Sequence, residues 1–160
     1  DVYKRQEEGV AGGITLEQSI KLSSALKEAG VDVIDVSFGR SLRYVIPSKK
    51  QPQGTYVSQA EAIKAAVDIP VIAVGRINSP QLAEAIISQK RADLVAIGRQ
   101  LITDPRWVRK AWEGKYDDIV FCESCNRNCI SFIPEIKKRL VAPDSPLCRL
   151  NEHAGREWVA

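Results

Sequence analysis

Two periods of apolar residues alternate along most of the chain, and their order predicts its architecture. Leu16, Ile20, Leu22, Leu26 and Ala29 give one segment an apolar side at helical spacing. "TLEQ" at its start reads as a capping box, with Thr15 accepting from the backbone three residues on and Gln18 reaching back. Gly30 supplies the stop, since glycine takes the left-handed conformation that closes a helix. "VDVIDVSFG" follows as a short β-branched run of buried-strand type, and then an irregular Ser-, Pro-, Lys- and Gln-rich loop up to Tyr56. Ser58 with Glu61 reads as a second capping box, opening a helix to about Val67. "IPVIAVGRI" is the second strand and "SPQLAEAIISQ" the next helix, with Ser79 as N-cap and Pro80 at the first helical position. "ADLVAIGRQ" is the third strand, after which Asp104 and Pro105 start a helix carrying Trp107 and Trp112, expected to be packing residues together with Trp158.

Near-continuous apolar strands separated by amphipathic helices imply a parallel sheet covered by helices. A doubly wound nucleotide-binding sheet would show a G-x-G-x-x-G turn after a strand, and none is present. In a (β/α)8 barrel the strands end in functional loops, and the last two often build a phosphate site. Here "VGRI" and "IGRQL" end consecutive strands, each placing glycine then arginine where that face should be: Gly75 and Arg76, Gly98 and Arg99. Glycine lets a backbone N–H approach an anion, and arginine offers a planar fork to phosphate oxygens. One such step is ordinarily a solvated loop; two at equivalent strand ends favour the barrel. A whole barrel takes about 250 residues, so a chain of 160 is expected to hold the last three β/α units and an appendage, with the four Gly-Arg residues together at the C-terminal edge of the sheet.

Composition narrows the function classes. Hydrophobic content of 44% and charged content of 27% are those of an ordinary soluble domain, and no apolar run approaches the roughly 20 residues that span a bilayer. The net charge of +3 is interspersed, densest at Lys137, Lys138 and Arg139, without the interleaved aromatics of a base-stacking strip. Neither nucleic acid nor membrane is expected as a partner, and a cytoplasmic location is. Asp1 to Gln6 look like translated adapter read-through and are left outside the fold reading. Domain boundaries are set at 7–115 for the partial barrel and 116–160 for the appendage.

That appendage carries the chemistry. "FCESCNRNCI" places Cys122, Cys125 and Cys129 within eight positions, and Cys148 follows. Soft thiolates at this C-x2-C-x3-C spacing can wrap one corner of an iron–sulfur cube. A four-cysteine zinc site more often shows two C-x2-C knuckles, and two disulfides would need an oxidising compartment. His153, the single histidine, reads as a surface residue rather than a ligand.

The runs "GGITLEQSIKLSSALKEAGVDVIDVS", "IPVIAVGRINSPQLAEAI", "RADLVAIGRQLITDPRW" and "CESCNRNC", in that order, resemble the C-terminal half of the barrel in the Old Yellow Enzyme-like NADH:flavin oxidoreductases. The resemblance is strongest to their iron–sulfur branch, which includes 2,4-dienoyl-CoA reductase and 2-enoate reductase. It implies an FMN whose phosphate is held by Gly75, Arg76, Gly98 and Arg99. It implies a 4Fe-4S cluster on Cys122, Cys125, Cys129 and Cys148, with Asn126 as the asparagine of the same motif. It further implies an FAD and NAD(P)H site in a separate C-terminal domain, electrons passing through the cluster to FMN, and hydride delivery to the C=C bond of an unsaturated carbonyl or acyl-CoA substrate, in an enzyme that can form a homo-oligomer. The stretch between Cys129 and Cys148 is longer than in the dienoyl-CoA reductases, and Arg43 is only a weak substrate contact by this resemblance. No catalytic residue is assigned, and the chain by itself is expected to be catalytically incomplete. Two other classes stay open: a non-redox phosphate-binding barrel enzyme with a structural zinc site on the four cysteines, and a non-catalytic binding module.

Overall fold

The computed structural model describes residues 2–5, 13–37, 46–130 and 146–155, so Arg43, Lys137, Lys138, Arg139 and Trp158 lie outside the described residues. Two compact units form, one from Asp1–Pro47 and Gln51–Ala96, the other from Ser48–Lys50 and Ile97–Ala160.

The first unit is a parallel sheet with helices between its strands. In chain order it runs β1 (Val2–Arg5), α1 (Leu16–Glu28), β2 (Ile34–Ser37), α2 (Val57–Lys64), β3 (Val71–Ala73), α3 (Pro80–Ser88) and β4 (Leu94–Val95). The sheet order is β1-β2-β3-β4, every neighbouring pair is parallel, and Ile34 stands opposite Val71 as Ile72 stands opposite Leu94. A doubly wound sheet reverses its order at a switch point; among the described strands this one never does.

The sheet buries one face against the helices. Ile34, Val36, Val71 and Ala73 are fully buried and pack with Val57, Ala60 and Ile63 of α2 and Ile86 of α3, with Ile20 of α1 at the margin. Each of the buried Ile and Val side chains contributes about 1.5–3 kcal/mol by leaving water. Because side chains alternate across a strand, Asp35 and Ile72 point to the opposite face. Burial pushes the Asp35 carboxyl up, and its Oδ1 is buried without a hydrogen-bond partner.

The caps follow the sequence reading at two of three helices. Thr15 Oγ1 accepts from Gln18 N at 3.3 Å while Gln18 Oε1 accepts from Thr15 N at 3.0 Å, the reciprocal box expected. At the other end Gly30 has φ +89, and its N–H reaches Lys27 O while Val31 N reaches Leu26 O, which closes a Schellman motif. Ser79 caps α3 through Leu82 N, with Pro80 at the first turn. Ser58 does not cap α2: the helix starts at Val57, two residues earlier than a Ser58 cap would place it, Tyr56 occupies the cap, and the Ser58 hydroxyl donates to Gln59. Glu61 pairs with Arg91 at 2.9 Å instead of reaching back.

Two further corrections concern the strands and α1. Val2–Arg5, set aside in the sequence reading, pairs in register with β2 as a fourth strand. The buried side of α1 is Ser19 and Ser23, with Leu22 exposed. Among the described residues no helix is long and apolar enough to cross a membrane.

Candidate metal centre

The second unit is built around two short helices, α4 (Arg99–Thr103) and α5 (Trp107–Trp112), followed by single 3-10 turns at Tyr116–Asp118 and Asn128–Ile130. A separate α4 was not anticipated; "ADLVAIGRQ" is strand only at Leu94–Val95, and its last residues open this helix. Trp107 packs as expected, but Trp112 is 91% exposed. It closes α5 four residues beyond exposed Val108, on the side of the helix away from Trp107.

Polar side chains of α4 hold the cysteine segment. Gln100, 2% exposed, donates from Nε2 to Val120 O and accepts from Cys122 N through Oε1, both at 2.8 Å. One side chain thus clamps the chain on both sides of Phe121. Asp104, at the end of α4, accepts from Val120 N at 3.0 Å, Arg106 N at 3.1 Å and Lys110 Nζ at 2.7 Å. Burial works to raise the Asp104 carboxyl, but Lys110 and the two backbone donors outweigh it and hold it below the usual aspartate range.

Past Cys122 the chain turns tightly, with Ser124 at φ +51 and Asn126 at φ +53 in the left-handed region. Such turns fold a short run back on itself and store strain that surrounding contacts must hold. The 3-10 turn then places Cys129. The segment carrying Cys148 is tied in from elsewhere: Asn128 Nδ2 donates to Pro146 O at 2.9 Å, and Asn151 Nδ2 donates to Ile102 O at 2.8 Å. Cys148 and Asn151 form a small antiparallel bridge, and Leu147 N donates to Ala154 O.

These contacts bring all four cysteines around one cavity of about 370 Å³, lined also by Arg99 and Thr103. All four are free thiols in this structure. Cys125 is exposed and the other three are partly buried. Burial pushes the Cys129 thiol up; Arg99 pulls it down, while Cys122, Cys125 and Cys148 each push it up, so all three lie within electrostatic reach of it. Ser124 N donates to Cys122 Sγ at 3.4 Å, and Thr103 Oγ1 stands 3.4 Å from Cys148 Sγ. Arg99 Nη1 donates to Asn126 Oδ1, joining the second Gly-Arg step to the cysteine motif. Among the described residues, no three His, Cys, Asp or Glu groups close on a point as a single ion requires. His153 is exposed, near Glu152 and away from the cavity lining.

Gly75 and Arg76 belong to the first unit and Gly98 and Arg99 to the second. Gly75 has φ +118, and a Cβ there would stand 2.8 Å from the Tyr56 ring and 3.0 Å from Tyr56 N, so the fold itself demands glycine. Arg76 follows with φ +53, a conformation a non-glycine residue adopts only when held in it. Gly98 differs: a Cβ there would meet no atom within 4 Å, so packing does not explain the missing side chain. Open space beside a backbone is what close approach by a ligand would require.

Gln100, Asp104 and Asn151 were missed from sequence. The available signal was a pair of polar residues four apart, Gln100 and Asp104, in a stretch otherwise read as strand and helix start.

Comparison with known proteins bears on this site. The NADH:flavin oxidoreductase / NADH oxidase family matches residues 6–118. The NADH oxidase of Thermoanaerobacter brockii is 44% identical over 96% of this chain and 23% of its own length. The cinnamate reductase of Clostridium sporogenes is 31% identical over 94% of this chain and 22% of its own. Among solved structures, 2-naphthoyl-CoA reductase in complex with 2-naphthoyl-CoA superposes with a TM-score of 0.84 at 24% identity, over 98% of this chain and 23% of that one. The chain thus spans under a quarter of the length of these relatives.

Proposed function

The chain belongs to the NADH:flavin oxidoreductase / NADH oxidase family, in keeping with its resemblance to the iron–sulfur branch of the Old Yellow Enzyme-like group, and from that premise we propose that it carries the flavin-phosphate grip and the four-cysteine centre of a larger, cytoplasmic ene-reductase. In this reading residues 7–115 are the last part of a (β/α)8 FMN barrel and 116–160 its cluster segment, leading to an FAD- and NAD(P)H-binding part. The sequential parallel sheet with its helices on one buried face supports the barrel. The substrate class is an unsaturated carbonyl or acyl-CoA compound, supported by the cinnamate reductase relationship.

The observation that carries the proposal is the convergence of Cys122, Cys125, Cys129 and Cys148 on one cavity. When bound, a 4Fe-4S cluster supplies one-electron transfer and FMN supplies hydride chemistry. The chain's own residues hold and shape the site. Gln100 and Asp104 fix the entry to Cys122, Asn128 and Asn151 seat the Cys148 segment, and the Ser124 N–H bonded to Cys122 sulfur lowers electron density there, a standard lever on cluster potential. In this reading Gly98 leaves room for a phosphate to approach its main chain, and Gly75 and Arg76 keep the phosphate role that the resemblance implies.

Anaerobic reconstitution with iron and sulfide tests this. A brown protein with about four irons per chain is expected, and serine at any of the four cysteine positions should reduce the iron retained. A single tightly held zinc and no iron uptake would replace the proposal with a structural four-cysteine zinc site.

A further inference from the structure

Arg99 is linked to a flavin phosphate by resemblance alone, and in the structure its guanidinium reaches the cysteine motif. It lines the cysteine cavity, is half-buried, and donates to Asn126, which lies between Cys125 and Cys129. Asn126 is neutral, so this bond fixes the position of the charge without cancelling it. Two other arginines line the same cavity. Arg149 is paired with Glu123, and Arg127 is exposed to solvent, where water screens it. Among the described residues no carboxylate pairs with Arg99. Among the described residues it is therefore the sheltered cation of the cavity without a carboxylate partner.

A cube of iron and sulfide on four thiolates is an anion, and gaining an electron makes it more negative. A fixed cation beside it favours the reduced form over the oxidised one, and does so more strongly where solvent is partly excluded. Resting on the cluster reading above, we propose that Arg99 is the counter-charge of the iron–sulfur centre: it raises the centre's reduction potential, with Asn126 as the positioning residue that aims it. Because the same residue follows Gly98 at the flavin-phosphate step, it ties the electrostatics of the relay to that step.

The test is a redox titration of the reconstituted chain, followed by the electron paramagnetic signal of the reduced cluster, with iron content measured in parallel. Arg99→Gln removes the charge, Arg99→Lys keeps it, and Arg127→Gln removes an exposed charge of the same cavity. The midpoint of Arg99→Gln should fall by about 59 mV, a tenfold loss in the one-electron equilibrium. Arg99→Lys should stay near wild type, and Arg127→Gln should move less than Arg99→Gln. Asn126→Ala should shift part of the way, since the guanidinium loses its anchor but not its charge. If Arg99→Gln holds no iron while Arg99→Lys holds it at the wild-type potential, the charge is still the requirement. A wild-type midpoint in Arg99→Gln, or loss of iron in both Arg99 variants from a site that wild type fills, overturns the inference. Failure of wild type itself to take up iron overturns the cluster reading instead, so the two failures are separable.

Discussion

Replacing Gln100 tests whether the cysteine site is preorganised by the fold or assembled by the metal. Gln100→Ala removes both arms of the clamp on residues 120–122, each a 2.8 Å bond. Val120 is exposed and Cys122 half-buried, so water can partly replace the lost partners, and each bond is worth about 1 kcal/mol, the low end for a group left unsatisfied. Shortening a side chain that is 2% exposed also removes about one buried methylene, near 0.8 kcal/mol. The expected loss is about 3 kcal/mol, or about a hundredfold in the opening equilibrium of the first-cysteine segment. Gln100→Glu should be at least as damaging: its carboxylate still accepts from Cys122 N but opposes Val120 O with a second acceptor and buries a negative charge beside thiolates. Urea unfolding followed by the fluorescence of buried Trp107, with the rate of iron release to a chelator, reads both effects. Gln100→Ala unfolding within about 0.5 kcal/mol of wild type, and releasing iron no faster, would refute the clamp.

Other outcomes follow from the same contacts. Asp104 is more acidic folded than unfolded, so the stability it contributes is complete above about pH 4, the ordinary aspartate value, and is lost as pH falls through its lower folded value. Asp104→Asn should weaken the protein at pH 7 and flatten that acid limb in urea midpoints taken from neutral to acid pH. Asp35 has the opposite sign: burial raises its folded value, so its ionisation opposes folding at neutral pH. Asp35→Asn should raise Tm at pH 7, and the gain should fade on acidification as the wild-type carboxyl takes up its proton. Gly75→Ala forces a Cβ to 2.8 Å from the Tyr56 ring at φ +118 and should cost at least about 2 kcal/mol in unfolding free energy. Gly98→Ala meets no atom and should leave stability within about 0.5 kcal/mol of wild type, while weakening FMN binding in a flavin-fluorescence titration.

How much of this was legible in the chain depends on the range of the forces involved. Capping at Thr15 and Ser79, the stop at Gly30 and the strand–helix alternation are settled by residues within a few positions of one another, so periodicity and side-chain chemistry sufficed. The grouping of Cys122, Cys125 and Cys129 around one cavity was also legible, because three thiols within eight positions cannot lie far apart. Ser58 shows where local reading stops: as good a cap by sequence as Ser79, it lies inside a helix that begins at buried Val57, with Thr55 tied to Gly75 O twenty positions away and Ala60 N bonded to Tyr56 O. The serine-lined side of α1 and the exposure of Trp112 were likewise decided by what each helix face meets, which hydrophobicity alone does not encode. At the site, the sequence named the four sulfurs, but only the tertiary structure joined Cys148 to the other three, through side-chain amides reaching carbonyls across 18 and 49 positions. The direction of Arg99 was settled in the same way. A Gly-Arg step offers a guanidinium on a long, rotatable stem, and the bond to Asn126, 27 positions on, fixes it beside the cysteines.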